Sequence, residues 1–473
     1  MSQHTPHADA ISLAEQVRSG ETTAAAELES AIERIEKRNP ELNAVVTTRY
    51  DEARAEVEAG LPEGPLTGVP FLVKDLGVSV AGVRNTRGSR LWAEKIGTVD
   101  SEIIRRYKAA GLVLLGLTNT PELGKNASTE PALFGPTHNP YKLGWSSGGS
   151  SGGSSTAVAA GMVRIAHGND GGGSVRIPAA CTGLYGLKPS RGRHSLAPDH
   201  HALSNPTSVA HALTTTVRDS ALLLDVISGG VKGEPFGVRQ PATSFLDAAS
   251  REPGSLRIGV VTDAPGGIGT DPEAVAGVRR VADLLASLGH QVSDTAATWD
   301  TTDVAVNSAK LMGANLVGAV DKRLAELDRP LADDDLEPFT RMMLDHYREM
   351  KASELESALR RAVGIGFEVG TAFEEFDVLL TPTMAQPAPQ HGFLDTNSWE
   401  TMFEHGATYS AWTSVFNVTG MPAASLPLGA FSSGLPMGIQ LVGDLGDEEK
   451  LISLSAQLER EVGWRQYAPG YDV

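Results

Sequence analysis

The sequence predicts an α/β protein: one large mixed β-sheet domain covered by helices on both faces. Two observations carry this. From residue 65 onward, short apolar runs alternate with helix-patterned stretches, the order that builds a sheet with helices on its faces. Nothing in the 473 residues reads as an internal repeat or an obvious linker, so a length that by itself allows about three domains is assigned to one body with peripheral insertions.

Taken in order, residues 9–38 read as two helices. Gly20 can end the first and Thr22 or Thr23 can cap the second, which carries Leu28, Ile32 and Ile35 on one stripe. Asn39-Pro40 is expected to stop that segment. Candidate strands follow at 69–74, 112–117, 162–166, 256–261, 377–380 and 437–442, with helical patterns between several of them, for instance 101–110 and 272–288. The Gly/Pro-rich stretch 229–254 and the acidic run 333–335 read as surface excursions or a lid.

Composition narrows the function. With 41% hydrophobic and 21% charged residues, no run approaches the roughly 18–20 apolar residues that a membrane span needs. The start of the chain lacks a basic segment followed by an apolar one, so a cytoplasmic location is expected. A net charge of −18 repels nucleic-acid phosphate, and no basic stripe offsets it. The single cysteine, Cys181, excludes an intrachain disulfide; the segment AACTGLYG offers it no histidine partner, so it reads as a packing thiol. Glycine is abundant at 51 residues, and some of it should serve geometry.

Three segments show where. Residues 146–155 are Ser and Gly only, which in isolation describes a flexible linker. They are followed directly by TAVAA, suited to a tightly packed helix, and by the strand-like MVRIA, so a functional loop is the better reading. Next, His167-Gly-Asn-Asp-Gly-Gly-Gly-Ser174 places three glycines before a serine at the end of a strand. Glycines let successive backbone N–H groups surround a concavity, where they can hold an oxyanion formed by attack of that serine. Third, Lys74 closes the apolar run 69–74; burial there lowers a lysine pKa and yields a competent general base, whereas an exit to solvent would leave a plain surface lysine.

In order and spacing these segments, GVPFLVKD, SSGGSSGGSSTAVAAGMV and GNDGGGSVRIPAACTGLYGLKPSRG, resemble the amidase signature family. Weaker family blocks, among them GLTNTPELG, EEFDVLLTPT and TGMPAASLPLG, extend the similarity from about residue 8 to 465. The resemblance implies a core at 65–190 and variable insertions at 195–250 and 295–370, candidates for a pocket lid, within one amidase domain spanning 1–473. It also implies a catalytic Ser-Ser-Lys triad without a metal or cofactor: Ser174 as nucleophile, Ser150 after a cis peptide bond as proton carrier, and Lys74 as base. By the same resemblance, Gly171, Gly172 and Gly173 with Ser174 form the oxyanion hole, Ser151, Asp170 and Arg176 support the loops, and Gly124, Lys125 and Asn126 line the substrate pocket. Two departures stand out. Gly171 replaces a Thr common in relatives, which keeps the backbone donor, and Leu117 stands where a lysine is usual.

Other readings are weaker. Gly148-Gly-Ser150-Ser-Gly152 matches the G-x-S-x-G elbow of α/β-hydrolases, but KLGWSS is no hydrophobic strand, and His211, His391 and His405 are candidate bases by abundance alone. An amidotransferase subunit shares the triad, yet its glutamine-binding acid has no counterpart in YSAWTSVFNVTG. No phosphate-binding glycine pattern is present, and His200-His201 beside Asp199 lacks metal-ligand spacing. The expected substrate is a small or oligomeric, apolar amide, linear or cyclic, an anilide or a carbamate, because the text is most similar to bacterial amidases of the 6-aminohexanoate cyclic-dimer hydrolase type and 311–319 is small and apolar. Oligomeric state is not legible, a homodimer being allowed.

Overall fold

The computed structural model describes residues 9–471 apart from Asp199, Pro265 and the side chain of Phe403. The first eight residues, and Asp199 of the histidine loop, thus lie outside the described residues.

The strands are β1 (Val45–Thr48), β2 (Pro70–Lys74), β3 (Val113–Thr118), β4 (His138–Asn139), β5 (Lys142–Ser146), β6 (Ile165–Asp170), β7 (Tyr185–Lys188), β8 (Val209–Thr214), β9 (Arg257–Val260), β10 (Gln291–Asp294), β11 (Val378–Pro382), β12 (Ala423–Ala430) and β13 (Pro436–Val442). Eleven of them form one mixed sheet in the order β1-β3-β2-β6-β8-β7-β12-β13-β11-β9-β10, and β4 with β5 forms a separate hairpin. The expected fold class is therefore the observed one.

Alternation along the strands shows how both faces are covered. Phe71, Val73, Leu114, Ile165 and Ala212 join one core cluster; their neighbours Leu72, Val113, Leu115, Ala166 and Leu213 join another. Successive side chains of a strand point to opposite faces, so these are the two faces of one sheet. Helix Ala24–Leu42 packs on the second face through Leu28, Ile32 and Ile35, whereas helices Val217–Ile227 and Pro272–Ser287 pack on the first.

Four expectations are corrected. Helix Ala24–Leu42 runs through Pro40 and ends at Asn43, whose φ of 50° breaks the helix; proline deletes one donor, and so near the C-terminus one donor is affordable. The strand expected at 162–166 is Ile165–Asp170, drawn further by antiparallel pairing of His167 with Ala212 and of Asp170 with Val209. That partner, β8, was assigned to a variable stretch but sits near the middle of the sheet. The Ser/Gly run is a loop only in part: from Gly152 it is the first turn of helix Gly152–Ala159.

Candidate active site

The sheet brings the motifs together by its direction. Strands β2 and β6 are parallel neighbours, with Phe71 opposite Ile165 and Leu72 opposite Ala166. Their carboxyl ends, Lys74 and Asp170-Gly-Gly-Gly-Ser174, therefore emerge at one edge, the side on which open α/β sheets place their sites.

Lys74 is fully buried, and its Nζ donates to Ser150 Oγ at 2.7 Å and to Asn169 Oδ1 at 2.5 Å. Burial pushes its pKa well below the ordinary lysine value, with the Asp170 carboxylate opposing only in part. Ser150 follows a cis Gly149–Ser150 peptide bond. Glycine is obligatory before it, because a Cβ on Gly149 would lie 2.4 Å from the Asn126 carbonyl oxygen. Ser151 is buried and donates to the Asn169 carbonyl at 3.3 Å.

The second loop is held by a buried ion pair. Asp170 accepts from Arg176 Nε at 2.9 Å and Nη2 at 3.0 Å, from Gly173 N at 2.7 Å and from Asn417 Nδ2 at 2.9 Å. Arg176, itself fully buried, also donates to Gln440 Oε1 at 2.9 Å, the Thr413 carbonyl at 3.0 Å and Asn417 Oδ1 at 2.6 Å. Although burial alone would raise it, the guanidinium holds the Asp170 carboxyl well below the usual carboxylate range. Gly173, with φ of 133°, has no room for a Cβ against Thr413, whereas a Cβ on Gly171 or Gly172 would meet nothing within 4 Å.

Backbone donors divide accordingly. Gly173, expected in the oxyanion hole, gives its N–H to Asp170. The N–H groups of Gly171, Gly172 and Ser174 make no hydrogen bond among the described residues. The Ser174 hydroxyl is likewise without one, and it faces a cavity of about 390 Å³ shared with Ser150, Asn169, Gly171 and Gly172. Gly124, Lys125 and Asn126 line the same cavity. Lys125 is therefore no plain surface lysine: its Nζ reaches the Met312 carbonyl at 3.3 Å, and burial pushes it down to about 8. Met312, Leu316 and Ala319 of helix Thr301–Leu327 and Met343 of helix Pro338–Arg348 complete an apolar wall from the stretch read as variable.

The elbow arrangement is not formed. Lys74, not histidine, bonds Ser150; His211 bonds Ser220 Oγ at 2.8 Å, His391 packs on His138 and His405 stacks on Phe393. Reading the sequence missed Asn169, Thr413, Asn417 and Gln440. Asn169 was visible inside the glycine motif, but the other three lie more than two hundred residues from Asp170 and Arg176, with no local signal.

The amidase family model matches residues 26–452. The chain is 39% identical over 471 residues to the 6-aminohexanoate-cyclic-dimer hydrolase of Paenarthrobacter ureafaciens, covering 96% of this chain and 95% of that protein. It belongs to the amidase signature family. A second 6-aminohexanoate-cyclic-dimer hydrolase, from a Pseudomonas strain, is 38% identical with the same coverage. Among solved structures, a 6-aminohexanoate cyclic dimer hydrolase superposes with a TM-score of 0.93 at 37% identity, over 98% of this chain and 99% of the other. A bacterial aryl acylamidase of the family superposes with a TM-score of 0.89 at 29% identity, over 97% of both chains. This amidase is thus an amidohydrolase acting on carbon–nitrogen bonds other than peptide bonds. No helix among its described residues is long and apolar enough to cross a membrane.

Proposed function

We propose that this amidase cleaves its substrate through an acyl-enzyme on Ser174, with Ser150 and Lys74 as a proton relay. The observation that carries the reading is the 2.7 Å contact between the fully buried Lys74 and Ser150, on the same cavity as the open hydroxyl of Ser174. Neutral Lys74 takes the Ser150 proton as Ser150 takes that of Ser174, and Ser174 Oγ attacks the amide carbonyl. The N–H groups of Gly171, Gly172 and Ser174 stabilise the oxyanion, while Asp170 keeps Gly173 in place. The relay returns the proton to the leaving amine, and water then releases the acid.

The substrate is a small or oligomeric, largely apolar amide: linear or cyclic, an anilide or a carbamate. Met312, Leu316, Ala319, Phe339 and Met343 supply the apolar wall, and the similar proteins are named for a cyclic amide dimer and for aryl acylamides. The chain acts as one domain, 1–473, in which 195–250 and 295–370 wall the cavity, and it works in the cytoplasm without nucleic acid, metal or cofactor. Glutamine delivery as an amidotransferase subunit is disfavoured, since 409–420, YSAWTSVFNVTG, offers no acid to hold the glutamine amine.

The test is a panel on wild type, Ser174→Ala and Ser150→Ala: a short-chain anilide, 6-aminohexanoate oligomers, an aryl carbamate, glutamine and a p-nitrophenyl ester, each with and without EDTA. Ser174→Ala should abolish turnover, and EDTA should leave wild type unaffected. An active Ser174→Ala enzyme beside an inactive Ser150→Ala enzyme would make Ser150 the nucleophile.

A further inference from the structure

The cavity carries a charge pattern opposite to that of the chain. The sequence holds 58 acidic residues against 40 lysines and arginines. Yet no Asp or Glu is found among the described residues that line the cavity, while Lys125 and Arg87 are.

Lys125 is the sharper of the two cations. It follows Gly124, at which a Cβ would come within 3.1 Å of Ser150 Oγ, so its backbone borders the reacting groups. Its side chain crosses to helix Thr301–Leu327, where Nζ donates to the Met312 carbonyl at 3.3 Å. No carboxylate pairs with it among the described residues, and burial is the sole cause of its lowered pKa. Lys125 is half-buried, and a cation partly withdrawn from water without a counter-ion favours a ligand that brings the opposite charge. Arg87, whose guanidinium lies 5.3 Å from the Trp92 ring centroid, adds positive potential to the same cavity. Apolar side chains such as Met312 and Leu316 line the same cavity and lower the local dielectric, which strengthens a charge pair formed there.

We propose that Lys125 is a specificity residue that recognises a carboxylate on the substrate, so that the enzyme prefers amides whose arm along helix Thr301–Leu327 ends in an acid, of the ω-amido acid or N-acyl amino acid type, over neutral amides of equal length. This rests on the reading of the cavity as the amide-binding site. The ammonium takes no part in bond cleavage. It is placed beside the Met312 carbonyl of helix Thr301–Leu327 and acts by holding the far end of the substrate.

The experiment uses two matched pairs: glutaric acid mono-p-nitroanilide against pentanoyl p-nitroanilide, and 4-acetamidobenzoate against 4-acetamidotoluene. The pairs place the acid on the acyl arm and on the amine arm respectively. In wild type, kcat/KM should favour the acid in at least one pair by about tenfold or more, as expected of a desolvated charge-assisted contact. Lys125→Met should remove that preference and Lys125→Arg should keep most of it. Calorimetric binding of the preferred acid to Ser174→Ala enzyme should weaken about tenfold on adding Lys125→Met. Equal rates within both pairs in wild type, an acid preference that survives Lys125→Met, or unweakened binding in the double variant would each overturn the proposal. If wild type cleaves none of the compounds, the amide-site reading fails separately, and the binding measurement still decides the role of Lys125.

Discussion

Replacing Asp170 by Asn keeps the shape of the side chain and removes its charge. Among the described residues the carboxylate is the only acid bonded to Arg176, and both side chains are fully buried. Asparagine can still accept at one oxygen, but its amide must then face either the Gly173 N–H or Arg176, donor against donor. Breaking a buried pair on one side costs about 3–5 kcal/mol. Arg176 keeps Gln440, Asn417 and the Thr413 carbonyl, which should place the loss toward the lower end. Unfolding entropy for a chain of this length is about 1 kcal/mol per kelvin, so the melting temperature should drop by only ~3–5 °C, and urea unfolding followed by tryptophan fluorescence is the more sensitive assay. The double variant Asp170→Asn/Arg176→Met should lose less than the sum of the single variants, with a coupling above about 1 kcal/mol. The sign with pH follows from the depressed Asp170 pKa. The pair contributes fully above the ordinary carboxyl pKa of about 4, and the contribution is lost as pH falls from there toward the folded value, so the gap between wild type and Asp170→Asn should close in acid. A loss below about 1 kcal/mol at neutral pH, or additive single and double variants, would refute the argument.

Two further outcomes are expected. Because only the neutral amine of Lys74 is a base and burial depresses its pKa, kcat/KM should rise with pH along a limb well below the ordinary lysine value of about 10.4; a limb at that value would mean that Lys74 is solvated or not the base. Gly124→Ala forces a Cβ against Leu76 Cδ2 at 2.6 Å and Ser150 Oγ at 3.1 Å at a φ of 68°, so kcat should fall by about tenfold or more, whereas Gly171→Ala, with open space at its Cβ, should lose less; equal losses measured on one anilide would show that Gly124 does not position Ser150.

Much of this site was legible because its chemistry is local. The three glycines before Ser174, the Ser/Gly run around Ser150 and the lysine ending an apolar strand are each short segments whose backbone demands are written in their residue types. The alternation of strands and helices announced the sheet, and Gly20 and Thr23 marked helix ends by capping chemistry that acts over a few residues. Strand β8 was hidden because Val209–Thr214 falls within 195–250, a stretch the resemblance marks as variable, and only pairing with β6 and β7 on both sides makes it a strand of the sheet.

By itself, then, the sequence determined which residues can do chemistry and where the backbone must bend: Lys74, Ser150 and Ser174 in their order, and glycine at positions such as 149 and 173 where no Cβ fits. The tertiary structure alone decided their state. The pKa of Lys74 falls only because the surrounding chain removes it from water, and Asp170 stays ionised in the same dry interior because Arg176, Lys188 and Asn417 arrive near it, with Gln440 bracing the guanidinium. That Lys125 lines the cavity was likewise decided by helix Thr301–Leu327 folding across it, since burial and charge pairing are properties of surroundings that no residue carries in its own letter.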